Sequence, residues 1–232
     1  CIENKTQAII YGFSFYSIYS IKTIPEIVTY GLKSDVIVID GRPFYWLLKG
    51  LRYNVNSKLS IPDSVYLSLR IADQYGYSLM LFGASEEINV LASSRIRESY
   101  KRINVINGIN GYFSEVDEDL IISEISSKAP DILLIGISSP IKEIFAILNK
   151  EKLNSKIIIP CGGMIDVLAG KTKVTPKWIK AVGLATLYRV IQEPKRLLID
   201  RLMYYFFVFF NLLPVIFIKQ VFCREKSFSI VG

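Results

Sequence analysis

The chain has 232 residues, with 28 Lys and Arg against 21 Asp and Glu, no histidine and a formal charge of +7. Without histidine there are no His-ligated metal sites, no Ser-His or Cys-His triads and no imidazole base. A general base has to be a carboxylate or, less readily, Lys, Tyr or Cys. The length allows one large or two small domains. Hydrophobic residues make up 51% and mean hydropathy is +0.34, with much of the apolar excess in the last fifth. Cys1, Cys161 and Cys223 are too far apart for a metal or CxxC spacing, which suits a reducing compartment. Cys1 as the opening residue reads as a truncated start. A basic balance suits a phosphate-rich ligand or an anionic membrane. Nucleic acid is the weaker reading, because no RNP-like, zinc-finger or helix-turn-helix pattern accompanies the charge.

Ala8 to Ile21 is β-branched and aromatic, interrupted by Gly12 and Ser14. It predicts a first strand running into a loop there. A helix is expected near Pro25 to Leu32, then a second buried strand, Ser34 to Ile39, ending at Asp40-Gly41. A carboxylate at a strand's carboxyl end is a common catalytic position, but Asp-Gly is also a ready tight turn. On these residues alone the turn reading is the stronger. Arg42 to Asn56 is basic and aromatic and reads as a short helix or a surface loop. Ile61 to Tyr75 predicts a helix opened by Pro62 and Asp63. Ser78 to Gly83 predicts a third strand. Glu86 to Tyr100 predicts a helix with Ile88, Leu91 and Ile96 on its apolar face.

Ile103 to Ile106 predicts a fourth strand, followed by the Gly/Asn-rich loop Asn107 to Phe113. A helix over Asp117 to Ser127 leads to Ile132 to Ile135, a continuous apolar run that suits a parallel strand buried on both faces. Gly136-Ile137-Ser138-Ser139-Pro140 then opens a helix over Ile141 to Leu148. Lys156 to Ile159 predicts the next strand, ending in Cys161-Gly162-Gly163, and Trp178 to Gln192 predicts a helix broken by Glu193-Pro194. This alternation defines an α/β fold, a mostly parallel, Rossmann-like sheet flanked by helices. Gly-plus-polar strand ends recur at Asp40-Gly41, Gly83, Asn107 to Gly111, Gly136 to Ser139 and Gly162-Gly163. Along one sheet edge they would converge on one nucleotide-sized crevice.

The tail changes character. Leu202 to Ile218 is an apolar run of about 17 residues, at the lower margin for a span, interrupted by Asn211 and Pro214. Cationic flanks (Arg196, Arg201, Lys219, Arg224) and the aromatics Tyr204 to Phe207 suit a membrane interface. Peripheral membrane contact is the expectation, ahead of a buried helix or a true span.

Five segments together resemble the WecG/TagA/CpsF glycosyltransferases. They are SDVIVIDG (Ser34 to Gly41), NGYF (Asn110 to Phe113), PDILLIGISSPIKE (Pro130 to Glu143), GGMIDVLAGK (Gly162 to Lys171) and PKWIKAVGLATLYRVIQEPKR (Pro176 to Arg196). The resemblance implies inverting, metal-independent transfer from a UDP-sugar to a polyprenyl-diphosphate-linked saccharide in bacterial cell-surface polysaccharide synthesis. The sugar would be N-acetylmannosamine, its uronic acid or glucose. No cofactor is implied beyond the donor. Asp40 would be the general base. Gly83, Asn110, Tyr112, Gly136, Ser138, Lys142, Glu143, Gly162, Gly163 and Asp166 would face the donor nucleotide. Ser14, Arg189, Arg196 and Arg201 would face the acceptor diphosphate. Residues 1–195 would form the α/β domain, with an acceptor part to about residue 75 and a nucleotide-sugar part from 76. Residues 196–232 would form a membrane-associating appendage at the cytoplasmic face of the inner membrane. A homo-oligomer is compatible with this reading.

The chain departs from the family pattern near the implied site. Gly12 and Ser14 stand where Thr and Asn are usual, and Lys142 stands where the family carries an amide. Val174-Thr175-Pro176 replaces Arg-Ala-Pro, Ala185-Thr186 replaces Glu-Trp, and Asp200 occupies an Arg position. The rival reading is therefore a non-catalytic member that binds nucleotide sugar or scaffolds an assembly complex. A nucleotide-dependent oxidoreductase has little support, since no GxGxxG follows the first strand.

Overall fold

The structure, a computed structural model, describes residues 6–21, 24–55 and 59–222. Six strands form one sheet: β1 (Ala8–Phe13), β2 (Val36–Ile39), β3 (Ser78–Gly83), β4 (Asn104–Val105), β5 (Ile132–Gly136) and β6 (Ile157–Pro160). Their order is β2-β1-β6-β5-β3-β4, and every pairing is parallel. Parallel neighbours need crossover helices, and these cover both faces. Helices Ile61–Tyr75 and Glu86–Ser99 pack with Leu79, Leu81, Ile132, Leu134 and Ile159 on one face. Helices Glu118–Lys128 and Ile141–Leu148 pack with Met80, Phe82, Leu133, Ile135 and Ile158 on the other. Successive strand residues thus feed opposite cores, so β3, β5 and β6 read as unbroken apolar runs.

β2 is the exception. It was expected as a buried strand, but it forms the sheet edge, and Val36 and Ile37 are 44% and 46% exposed. Its β-branched composition alone could not separate an edge from a centre. The expected helix over Trp178 to Gln192 is two helices, Lys177–Ala181 and Ala185–Gln192. Gly183 parts them at φ 78°, a left-handed turn that ends the first. The buried face of Glu86–Ser99 is Asn89, Ala92, Ser93 and Ile96, whereas Leu91 is 39% exposed. Arg42–Gly50 is a helix.

The amino-terminal edge of the sheet is held by carboxylates. Asp131 accepts from the Ser78 N–H and hydroxyl, both at 2.8 Å, and from Lys156 Nζ at 2.6 Å. It therefore ties the starts of β3 and β5 together. Asp35 accepts from the Ile9 N–H at 2.8 Å and pairs with Lys150. Burial pushes the Asp131 carboxyl up, but the donors of Lys156 and Ser78 outweigh it and hold the group below the ordinary value.

The chain divides into two compact units, Cys1–Gly183 and Leu184–Gly232. In the second, helix Ala185–Gln192 precedes Pro194–Phe207, a π-helical stretch Val208–Leu212 and Leu213–Phe222. Leu197–Phe217 is the one helical segment, among the described residues, long and apolar enough to cross a membrane. It has 21 residues and a mean hydropathy of 1.5, and 12% of it is buried. Cys1, Cys223 and Arg224 lie outside the described residues, and Lys219 lies in the last helix.

Asp131→Asn should cost about 3 kcal/mol in urea unfolding at pH 7, by removing charge-assisted bonds. The depressed carboxyl adds stability above its unfolded value, about 3.9, and loses it as pH falls through the lower folded value. The gap between wild type and variant should therefore close below about pH 4.

Candidate active site

The candidate site lies along the carboxyl edge of the sheet. β3 runs on to a helix on one face and β5 to a helix on the other, which opens a crevice between adjacent strand ends. The floor is glycine-packed. A Cβ on Gly83 would come within 2.5 Å of the Gly136 backbone, and one on Gly111 within 2.8 Å of Gly83 Cα. The N–H groups here are committed: Gly83 donates to Ile109 O, Gly111 to Ala84 O and Gly162 to Ile135 O. Asn89, which sequence reasoning missed, locks this floor from beneath. Its buried Nδ2 lies 3.1, 3.0 and 3.0 Å from the carbonyls of Leu81, Gly83 and Ile109. Its place beside Ala92 and Ser93 on the small-residue stripe of its helix was the available signal.

Asp40 follows β2 directly, and its N–H donates to Phe13 O at 2.8 Å. Gly41, at φ 94°, makes the turn the sequence suggested. The turn aims the Asp40 carboxylate at the start of helix Ile61–Tyr75, where the Ile61 N–H reaches Oδ1 at a long 3.4 Å. Gly12 permits this approach, because a Cβ there would meet Ile61 Cγ1 at 2.5 Å and Asp40 Cβ at 3.5 Å. Asp40 is half-buried, yet the protein around its carboxyl dominates its titration. Burial pushes its pKa up; the Ile61 N–H and the charges of Lys142 and Lys180 pull it down, and Asp63 adds to the rise. The net result is a carboxylate with raised proton affinity, which suits a general base. Asp63 and Lys180, 3.9 Å apart, were not foreseen as its neighbours.

Lys142 and Glu143 follow the cis Ser139–Pro140 bond. The Lys142 ammonium pairs with Glu143 Oε1 and the Ser139 hydroxyl, and that hydroxyl donates to Glu143 at 2.9 Å. Lys142 points inward over the end of β6, its Cε 3.4 Å from a Cβ placed on Gly162. Burial pushes the Cys161 thiol up to about 12, with Lys142 opposing, so this cysteine is a core residue. Asp166 is buried and pairs with Lys171 at 3.1 Å.

The other expected residues are distributed unevenly. Ser14 caps helix Phe15–Ser20, accepting from the Tyr16 N–H at 3.1 Å. Asn110 accepts from the Tyr112 N–H at 3.0 Å, and the Tyr112 ring is 79% exposed. Phe113 instead packs on Phe82 and Phe145. The Ser138 carbonyl accepts from the Lys142 N–H, and Gly163 opens the short helix Met164–Leu168. Arg189 and Arg201 belong to the second unit, where Arg189 pairs with Glu193 at 3.7 Å. Arg196 lies on helix Pro194–Phe207, and its side chain is outside the described residues.

An all-parallel sheet flanked by helices on both faces defines an α/β protein, with Asp40 and Lys142 both on the carboxyl edge of that sheet. Comparison makes the class definite. The glycosyl transferase WecG/TagA/CpsF family matches residues 1–222, and the chain belongs to that family. It is similar to a Shigella boydii UDP-Gal:alpha-D-GlcNAc-diphosphoundecaprenol beta-1,4-galactosyltransferase, with 28% identity over 209 residues, 86% of this chain and 85% of the relative. It is also similar to N-acetylglucosaminyldiphosphoundecaprenol N-acetyl-beta-D-mannosaminyltransferases. The Bacillus subtilis enzyme is 24% identical over 163 residues, 70% of this chain and 63% of the relative. The Staphylococcus aureus enzyme is 22% identical over 191 residues, 78% and 74% of the two chains.

Two outcomes test this geometry. Asn89→Ala should lower stability by about 2 kcal/mol in thermal or urea unfolding, since the Leu81 and Ile109 carbonyls keep their backbone donors while the buried amide's own bonds, including that to Gly83 O, are lost. Asp40→Asn should melt at or above the wild-type temperature at pH 7. A carboxyl raised on folding costs stability once ionised, so the advantage should open above about pH 4.

Proposed function

We propose that the protein transfers a hexosyl or N-acetylhexosaminyl group from a UDP-sugar to a polyprenyl-diphosphate-linked saccharide in cell-surface polysaccharide synthesis. The carrying observation is Asp40, a carboxylate of raised proton affinity at the carboxyl edge of the sheet in a chain that matches this family over residues 1–222. The relatives' names support the acceptor class: each acts on an N-acetylglucosaminyl-diphosphoundecaprenol lipid. They also support a nucleotide-sugar donor, since one is named for UDP-Gal.

In this mechanism Asp40 takes the proton from an acceptor hydroxyl as its oxygen attacks the anomeric carbon. The bond from that carbon to the diphosphate oxygen breaks, and UDP leaves from the opposite face. A single displacement of this kind inverts the anomeric centre. Charge growing on the diphosphate calls for cations or backbone donors. Lys142 fills that part in this scheme, which uses no metal. The nucleotide-sugar part would begin near residue 76, with the acceptor part before it. The second unit would contact the cytoplasmic face of the membrane, where the acceptor resides. Its support is the apolar Leu197–Phe217 helix and its exposed Phe206, Phe209, Phe210 and Phe217.

The test is a transfer assay on a synthetic GlcNAc-diphosphate lipid, with UDP-galactose, UDP-glucose and UDP-N-acetylmannosamine offered separately. One donor should give product, turnover should survive EDTA, and Asp40→Asn should lose about 1,000-fold. UDP-sugar binding without transfer from any donor would replace the enzyme with the non-catalytic reading.

A further inference from the structure

We propose that helix Arg42–Gly50, together with the end of helix Lys177–Ala181, forms a docking face for an anionic lipid bilayer. This face belongs to the first unit and shares no residue with the apolar helix of the second. The docking stands without the transfer reaction; only its consequence for acceptor access rests on that reading.

Helix Arg42–Gly50 is held to the fold by one side chain. Phe44 is its buried residue and packs edge-on against Phe13 and Phe15, at ring-centroid distances of 5.6 and 4.9 Å. Trp46, two positions on, turns away from that anchor and is 47% exposed. It lies against Gly183: a Cβ placed there would meet Trp46 Cζ3 and Pro43 Cγ at 3.1 Å each. Gly183 follows helix Lys177–Ala181, which is anchored by the buried Ile179. On that helix and its cap, Trp178 and Val182 are one turn apart, the Val182 N–H donating to Trp178 O at 3.1 Å. They are 68% and 53% exposed. The chain has two tryptophans, and both are on this face. Tryptophan is on average a highly buried side chain. Two indoles held at one surface suit a membrane–water boundary, where an apolar ring with one polar N–H is at home.

The charge around the indoles has one sign. Residues 41–55 hold Arg42, Lys49 and Arg52 and no acid, and residues 167–183 hold four lysines and no acid. Acids from packed elements reach two of those lysines: Asp166 pairs with Lys171, and Asp63 with Lys180. Among the described residues, Lys49, Arg52 and Lys177 are exposed and make no ion pair. Exposed cations beside exposed indoles match anionic headgroups over an apolar boundary. A purely acidic partner would use the cations and leave Pro43 and Val182 in water. The face also borders Asp40. Helix Arg42–Gly50 starts two residues after it, and Lys180 lies 3.9 Å from Asp63, in the first turn of the helix whose Ile61 N–H reaches Asp40. Docking would therefore bring a polyprenyl-diphosphate acceptor of the same bilayer to the proposed base.

The test is the intrinsic fluorescence of the full chain, because residues 184–232 contain no tryptophan and stay silent. With vesicles of equimolar phosphatidylcholine and phosphatidylglycerol, the emission should shift to the blue, and brominated acyl chains should quench it. Trp46→Phe and Trp178→Phe each leave one indole, and both single-tryptophan proteins should respond. Lys49→Gln/Lys177→Gln changes two exposed side chains, so it should melt like wild type, yet it should bind these vesicles about 30-fold more weakly. Vesicles that sediment the protein while both indoles keep their emission in water would overturn the proposal and leave membrane contact to the second unit. A blue shift that grows with protein concentration in the absence of lipid would also overturn it, making the face a contact between copies of this chain. Lipid-dependent quenching with no sugar transfer would uphold the docking face and remove only its consequence for the acceptor.

Discussion

The carboxyl edge of the sheet depends on how closely β3 and β5 approach at Gly83 and Gly136. The two backbones meet where any side chain would collide, and Gly111 closes over them from the next loop. That contact fixes the crevice floor and also uses up its backbone donors. The N–H groups of Gly83, Gly111 and Gly162 are turned into the fold. Glycine-rich strand ends are often read as phosphate cradles, but here these three amides have structural partners. A diphosphate at this edge has to draw more heavily on side chains. This raises the weight carried by the few charged groups that face inward, Lys142 above all.

Much of the fold was legible in the residues because β3, β5 and β6 are buried on both faces. A continuous apolar run of strand length, bounded by Gly or Pro, has few other readings. Helix Ile61–Tyr75 was equally plain, since Ser60, Pro62, Asp63 and Gly76 mark both ends. β2 misled because edge and centre differ in neighbours rather than composition. The helix expected through Gly183 misled because its residues on both sides have helical periodicity. One left-handed glycine outweighed them, and a single Gly does not announce its φ in advance.

The site was legible in a different way. Asp40 was singled out by position and by the lack of histidine, but its helix-terminus contact and its charged neighbours Asp63 and Lys180 come from residues 20 or more positions away. Long-range convergence of that kind leaves no periodic trace. Asn89 was faint for the opposite reason: a polar residue on a helix is normally assigned to the wet face, and beyond its place on a small-residue stripe only the carbonyls of Leu81, Gly83 and Ile109 explain why it is inside.

A carboxylate doing the work of a base faces two opposing demands. In water its proton affinity is too low to take a hydroxyl proton efficiently near neutral pH. Burial raises that affinity, but unopposed burial would leave the group protonated and useless as an acceptor. Asp40 meets both demands through its surroundings. The protein packed about its carboxyl supplies the rise, and the Ile61 N–H, with the charges of Lys142 and Lys180, limits it. In the proposed mechanism the chain, which has no imidazole to offer, obtains its base by setting a helix-terminal N–H and nearby cations against desolvation.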